Sequence, residues 1–212
     1  MAVDAIVTER LAEAALDQFL RSMPRTLALA GGTTPRAFYE RLATIEYPWP
    51  EVRILQTDER CVPRDHPDSN LRMITESFLD RLGWARPVVH EMPGETCDAE
   101  SHERELRQFI GPEPHLDLAI LGLGADGHTA SLFPGDPVLE ILDRWVAEVG
   151  RPDHARLTLT LPVLSSARVA MFLVSGEDKR EALRRLLDAE DIPATRVKAG
   201  RIVVVADPAA AG

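Results

Sequence analysis

"LDLAILGLGADGHTASLFPG", Leu116–Gly135, joins a short apolar run to a glycine-rich turn that carries a histidine. The run is apolar on both faces and stops at glycine, the pattern of a strand buried inside a parallel sheet. "TLALA" (26–30), "VRILQTD" (52–58), "RVAMFLVSG" (168–176) and "RIVVVAD" (201–207) read the same way, and "RLTLTLPVLS" (156–165) reads as a further strand. Helical stripes alternate with them: positions 11, 12, 15, 16, 19 and 20, with an end near Met23-Pro24; Leu71, Ile74, Phe78 and Leu82; and Ala182, Leu183, Leu186 and Leu187. Val138, Leu142 and Val146 mark another, opened by Asp136-Pro137 and closed by Gly150. The alternation, with no linker or repeat, predicts an α/β fold over 1–212: a single doubly wound, mainly parallel sheet with helices on both faces.

With 212 residues, 45% of them apolar, the chain can bury one sizeable core. A net charge of −10 argues against nucleic acid or an anionic membrane surface as the main partner. The opening "MAVDAIVTERLAEAALDQFL" reads as an amphipathic helix whose Asp4, Glu9 and Arg10 interrupt any signal-peptide core, and no apolar run is long enough to span a bilayer. A cytoplasmic protein, a monomer or small homo-oligomer, is expected. Cys61 and Cys97 stand in no metal or redox spacing and read as a reduced pair.

In such a sheet, ligands bind beyond the carboxyl ends of the strands. The residues there are polar: Gly31-Gly32-Thr33-Thr34-Pro35, Asp58-Glu59-Arg60, Gly122 to His128, and Ser175 to Lys179. "GGTTP" is either an ordinary β-to-α turn or a cradle of free N–H groups for an anion. Lys179 either snorkels or meets a phosphate or carboxylate at the strand ends. Arg60 could grip an anion with its planar fork; Asp58 could orient Arg60, bind a sugar hydroxyl or hold a proton. His66, His90, His102, His115 and His154 lie in polar or Pro-rich surroundings and read as loop or surface residues. His128 differs, following a buried strand with Asp126 two residues away, as a general base would.

Gly122, Gly124 and Gly127 satisfy the spacing of a dinucleotide-binding turn. That reading fails because Pro134-Gly135 stop any helix after barely two turns, and Asp126 would stand beside the pyrophosphate. No metal-binding motif and no G-x-S-x-G nucleophile elbow is present, so the expected site is metal-free.

Together, "LALAGGTTPRAFYERL", "QTDERCVPRDHPDSN", "LAILGLGADGHTASLFPG" and "LVSGEDKREAL" resemble the successive motifs of 6-phosphogluconolactonases across nearly the whole chain. The resemblance implies a glucosamine-6-phosphate deaminase-like fold, no cofactor, and hydrolysis of a small-molecule phosphosugar lactone. It places the general base on His128 and anion binding on the "GGTTP" turn, Arg60 and Lys179; the sequence leaves either Asp126 or Asp58 to set the imidazole tautomer. The sugar-phosphate deaminase branch of the same fold is similar to "DGHIAFNEP", with a ring-opening glutamate five residues after the histidine; here that position is Phe133. A non-catalytic sugar-phosphate sensor would keep the cations but would not need His128.

Overall fold

The structure, a computed structural model, describes residues 3–212. Seven strands form one parallel sheet: β1 (Val3–Val7), β2 (Thr26–Leu29), β3 (Arg53–Gln56), β5 (Val88–His90), β6 (Leu116–Gly122), β9 (Ala167–Val174) and β10 (Arg201–Ala206). Their order is β1-β10-β9-β6-β2-β3-β5. From β2 the chain winds outward through β3 to β5; from β6 it winds the opposite way through β9 to β10. The strand order therefore reverses between β2 and β6, where a doubly wound sheet opens a crevice for ligands.

Alternate residues of the central strands serve two cores. Leu27, Leu29, Leu118, Ile120, Val169, Met171, Val203 and Val205 face α1 (Leu11–Ser22), α2 (Arg36–Leu42) and α3 (Asn70–Ser77), packing with Phe19, Phe38, Tyr39 and Phe78. Ala28, Ala119, Leu121, Ala170, Phe172 and Val204 face the other way, toward α4 (Ala99–Ile110), α5 (Leu161–Ser165) and α6 (Arg180–Leu187). This two-sided burial explains the uninterrupted apolar runs. A short α7 (Pro208–Ala211) ends the chain.

The doubly wound parallel sheet is the one expected from the sequence, but it is not the single sheet: a smaller one stands beside it. β4 (Asp58–Arg60), β7 (Val146–Val149) and β8 (Arg156–Leu159) form a second, antiparallel sheet in the order β4-β8-β7. The helix expected over 136–150 is only a 3-10 turn, Pro137–Glu140, followed by β7. Leu142, counted into the helical stripe, is 70% exposed, whereas Val146 and Val149 are buried against β8. The opening helix also begins later than the sequence suggests: Val3–Val7 is a half-exposed edge strand on β10, and α1 starts at Leu11. "RLTLTLPVLS" splits into β8 and α5, with Pro162 in the first turn of the helix.

Cys61 and Cys97, expected as free thiols, form a disulfide with Cα atoms 5.4 Å apart. Fold geometry sets them side by side. Gly94 packs so tightly on the carbonyls of Arg60 and Val62 that a Cβ there would lie 2.8 and 2.7 Å from them, so only glycine lets the segment before α4 close on the end of β4.

His102 is not a surface residue. It is 1% exposed on α4, stacked beside His90, and neither ring nitrogen has a hydrogen-bond partner among the described residues. Burial, then the neighbouring His90, pushes its pKa down to about 3. The folded protein keeps it neutral, while the unfolded chain protonates it near pH 6.5. Its stabilising contribution is therefore complete above pH 6.5 and lost as pH falls toward 3. His102→Leu should remove about 2 kcal/mol of the stability lost between pH 7.5 and pH 5, measured by urea unfolding at both. Parallel acid limbs for the two proteins would refute this.

Candidate active site

The turns after β2 and β6 meet at the reversal point and wall a cleft of about 220 Å³. Gly31, Gly32, Thr33 and Thr34 line one side, His128 another, and Asp58, Arg60 and Lys179 complete it. Asp126 is outside the lining and reaches the cleft through His128.

His128 is fixed by its own turn. Asp126 Oδ1 accepts the His128 backbone N–H at 3.1 Å and lies 2.6 Å from Nδ1. Gly124 N–H donates to the His128 carbonyl at 2.8 Å, closing the loop. A Cβ on Gly124 would stand 2.0 Å from Nδ1, so this glycine makes room for the imidazole rather than for a pyrophosphate. Gly127, at φ +89°, turns the chain between Asp126 and His128. No helix follows in this segment; Thr129 and Leu132 bridge across a turn, removing the dinucleotide reading altogether.

Burial raises the Asp126 pKa, but hydrogen bonds from the His128 backbone and ring outweigh it and hold the carboxyl below its usual range. A charged Asp126 places the ring proton on Nδ1, which leaves the Nε2 lone pair available to accept another. Asp126, not Asp58, therefore partners the imidazole. Asp58 accepts Thr57 Oγ1 at 3.0 Å and Ser131 Oγ at 2.7 Å, tying β4 to the turn after His128. Phe133 is buried with its ring centroid 4.5 Å from that of His128.

Arg60 Nη1 donates to the Asp68 carbonyl at 2.7 Å and to Asn70 Oδ1 at 2.8 Å. Asn70 in turn donates to the Asp58 carbonyl, and a Cβ on Gly31 would lie 1.8 Å from Asn70 Oδ1. The first glycine of "GGTTP" is thus needed because the β2 turn presses against the support of Arg60. Helix α2, seven residues long, offers little macrodipole, so the turn's polar groups matter more than the helix.

Three features escaped the sequence reading. Arg156, at the start of β8, brings a third cation to the lining and is held by Asp153 Oδ2 at 2.6 Å. Asn70 also lines the cleft, with its side chain bridging Arg60 and Asp58. Glu59 is 2% exposed and accepts five hydrogen bonds: from Gln56 Nε2, Ser69 Oγ, and the backbone N–H groups of Arg60, Asn70 and Leu71. A "DER" triplet after an apolar strand signals burial, but the donors come mostly from a helix start ten residues on.

Lys179 closes a 3-10 turn ahead of α6, with Nζ 2.9 Å from Asp178 and the side chain one-quarter exposed. Ser175 and the Gly176 N–H both donate to Asp207, fixing the end of β9. The cleft can therefore surround a small anion-bearing molecule with Arg60, Arg156 and Lys179 and present an imidazole Nε2 beside it. Among the described residues, no helix is long and apolar enough to cross a membrane.

The chain is similar to known proteins along nearly its whole length. The family described as glucosamine-6-phosphate isomerases/6-phosphogluconolactonase matches residues 2–205. A 6-phosphogluconolactonase of Synechocystis sp. is 42% identical over 176 residues, 79% of this chain and 73% of that protein. The 6-phosphogluconolactonase of Homo sapiens is 40% identical over 168 residues, 73% of this chain and 65% of the human one. The crystal structure of 6-phosphogluconolactonase from Thermotoga maritima has a TM-score of 0.85 at 30% identity, covering 97% of this chain and 99% of its own. A monomeric glucosamine-6-phosphate deaminase has a TM-score of 0.83 at 22% identity, over 100% of this chain and 99% of its own, and shares the fold.

Proposed function

Because the chain belongs to the glucosamine-6-phosphate isomerase/6-phosphogluconolactonase family, we propose that it hydrolyses 6-phospho-D-glucono-1,5-lactone to 6-phosphogluconate, a step of the oxidative pentose phosphate pathway. The observation that carries the proposal is the 2.6 Å contact between Asp126 Oδ1 and His128 Nδ1 at the edge of a cationic cleft.

His128 Nε2 takes a proton from water, and the water oxygen bonds to the lactone C1 as the carbonyl pair moves to oxygen. The tetrahedral oxyanion collapses, the bond from C1 to the ring oxygen breaks, and the imidazolium returns its proton to that oxygen. Asp126 holds the ring and balances the transient imidazolium charge. Arg60, Lys179, Thr33 and Thr34, with Arg156 beside them, hold the phosphate and orient C1. The described residues act as one sugar-phosphate-binding unit, and the chemistry uses water and side chains alone.

Phe133 disfavours the deaminase reading. In the deaminase pattern the ring-opening glutamate stands five residues after the histidine, and here that position is Phe133, its ring centroid 4.5 Å from that of His128. A sensor has no use for an imidazole whose tautomer is set by a carboxylate.

The test is selectivity for the phosphate. Purified protein should hydrolyse the phosphorylated lactone with a kcat/KM at least about 100-fold above that for glucono-1,5-lactone, since two charge-assisted phosphate contacts of roughly 1.5–3 kcal/mol each already supply that factor. Lys179→Ala should raise KM with little change in kcat. Equal efficiency on both lactones would remove the phosphate pocket from the account.

A further inference from the structure

His66, Asp68 and His154 lie outside the cleft lining and have no part in the chemistry above. Their ligand atoms fall within 4.8 Å of one another. His154 Nε2 is 3.1 Å and His66 Nδ1 3.8 Å from the same oxygen, Asp68 Oδ2. The two imidazoles meet edge to face, with centroids 5.4 Å apart. His66 Nδ1 accepts the Asp68 backbone N–H at 3.1 Å, a hydrogen bond that a metal ion on Nδ1 would replace.

Zinc bound to imidazole nitrogen and carboxylate oxygen at about 2.0–2.2 Å in a tetrahedron sets ligand atoms roughly 3.3 Å apart. Both carboxylate-to-imidazole spacings are within about half an ångström of that. Side-chain exposures of 36%, 57% and 29% leave the remaining coordination positions open to water. Two imidazoles and one carboxylate select a borderline transition metal over magnesium or calcium, which take oxygen ligands.

The cluster also joins two loops. His66 and Asp68 belong to the segment between β4 and α3; His154 belongs to the turn between β7 and β8. Each loop anchors a cleft arginine: the Asp68 carbonyl accepts Arg60 Nη1, and Asp153, next to His154, pairs with Arg156. We propose that His66, Asp68 and His154 bind a divalent transition-metal ion of the zinc class, which clamps the loops carrying Arg60 and Arg156. The effect of the clamp on substrate rests on the phosphate-binding reading of the cleft; metal binding does not.

The experiment is calorimetric titration of Zn²⁺ alone into untagged, chelator-treated protein at pH 7.5, with Mg²⁺ as control. One site with a micromolar or lower Kd is expected, unaffected by excess Mg²⁺ and retained in His128→Ala. His66→Gln, Asp68→Asn and His154→Gln should each weaken it at least about tenfold, as losing one of three ligands does. These groups are partly exposed, so the metal-free variants should melt within a few degrees of the parent. Absence of binding at millimolar Zn²⁺, or equal binding in all three variants, overturns the site. In the lactone assay, Zn²⁺ should lower KM severalfold with kcat unchanged in the parent and have no effect in His154→Gln. Binding that leaves KM unchanged overturns the clamp. The titration reads the site even if the lactone is not a substrate.

Discussion

His128→Ala lowers kcat for the phosphorylated lactone by 10²- to 10⁴-fold, about the contribution of a positioned general base, while 6-phosphogluconate binds within about twofold of the parent affinity. The split follows from the geometry. The groups proposed to hold the phosphate sit at the ends of β2, β4, β8 and β9 and do not depend on the imidazole, whereas His128 is the one histidine among the described lining residues. A residual rate over water is expected, because orientation and oxyanion stabilisation survive the substitution. Asp126→Asn should cost less, about 10- to 100-fold in kcat, since the carboxamide can donate to Nδ1 and stabilise the wrong tautomer. Near-parental turnover in His128→Ala would end the general-base assignment.

Glu59→Ala destabilises the protein by about 4 kcal/mol in urea unfolding at neutral pH, the cost of leaving several buried donors without a charged acceptor. Five donors converge on this carboxylate, and three of them are the backbone N–H groups of Arg60, Asn70 and Leu71. Glu59→Gln separates charge and geometry from simple packing. Oε1 accepts Arg60 and Asn70, and Oε2 accepts Gln56, Ser69 and Leu71, so an amide nitrogen at either place meets donors only. It should lose about half as much stability as the alanine variant. Both should raise KM, because Arg60 and Asn70 lose their common anchor. Stability within 1 kcal/mol of the parent for Glu59→Ala would show that these bonds are dispensable.

Five of the seven parallel strands were legible because burial on both faces erases polar alternation and each run ends at glycine or aspartate; the half-exposed β1 and the three-residue β5 carry no such run. The site was legible for a related reason: strand ends carrying "GGTTP", "DER", "GADGH" and "GEDK" are too polar to belong to the core they adjoin. What stayed hidden depends on partners distant in sequence. Val146 and Val149 are read as helix until β8 supplies a strand partner. His102 looks exposed beside glutamates and an arginine, yet α4 turns it inward. Cys61 and Cys97 meet through the closure allowed by Gly94, and Arg156 enters the cleft from an antiparallel sheet that strand-helix alternation does not announce. Asp68 and His154, 86 residues apart, match no metal motif for the same reason.

The central claim is that this cleft opens a phosphorylated lactone rather than deaminating an amino sugar. Initial rates of the purified protein on 6-phospho-D-glucono-1,5-lactone, read through coupled oxidation of 6-phosphogluconate and set beside ammonia release from glucosamine 6-phosphate, test it most directly. The account predicts lactone hydrolysis orders of magnitude above the spontaneous rate, with ammonia release at background. Ammonia release with lactone opening at the spontaneous rate would contradict it.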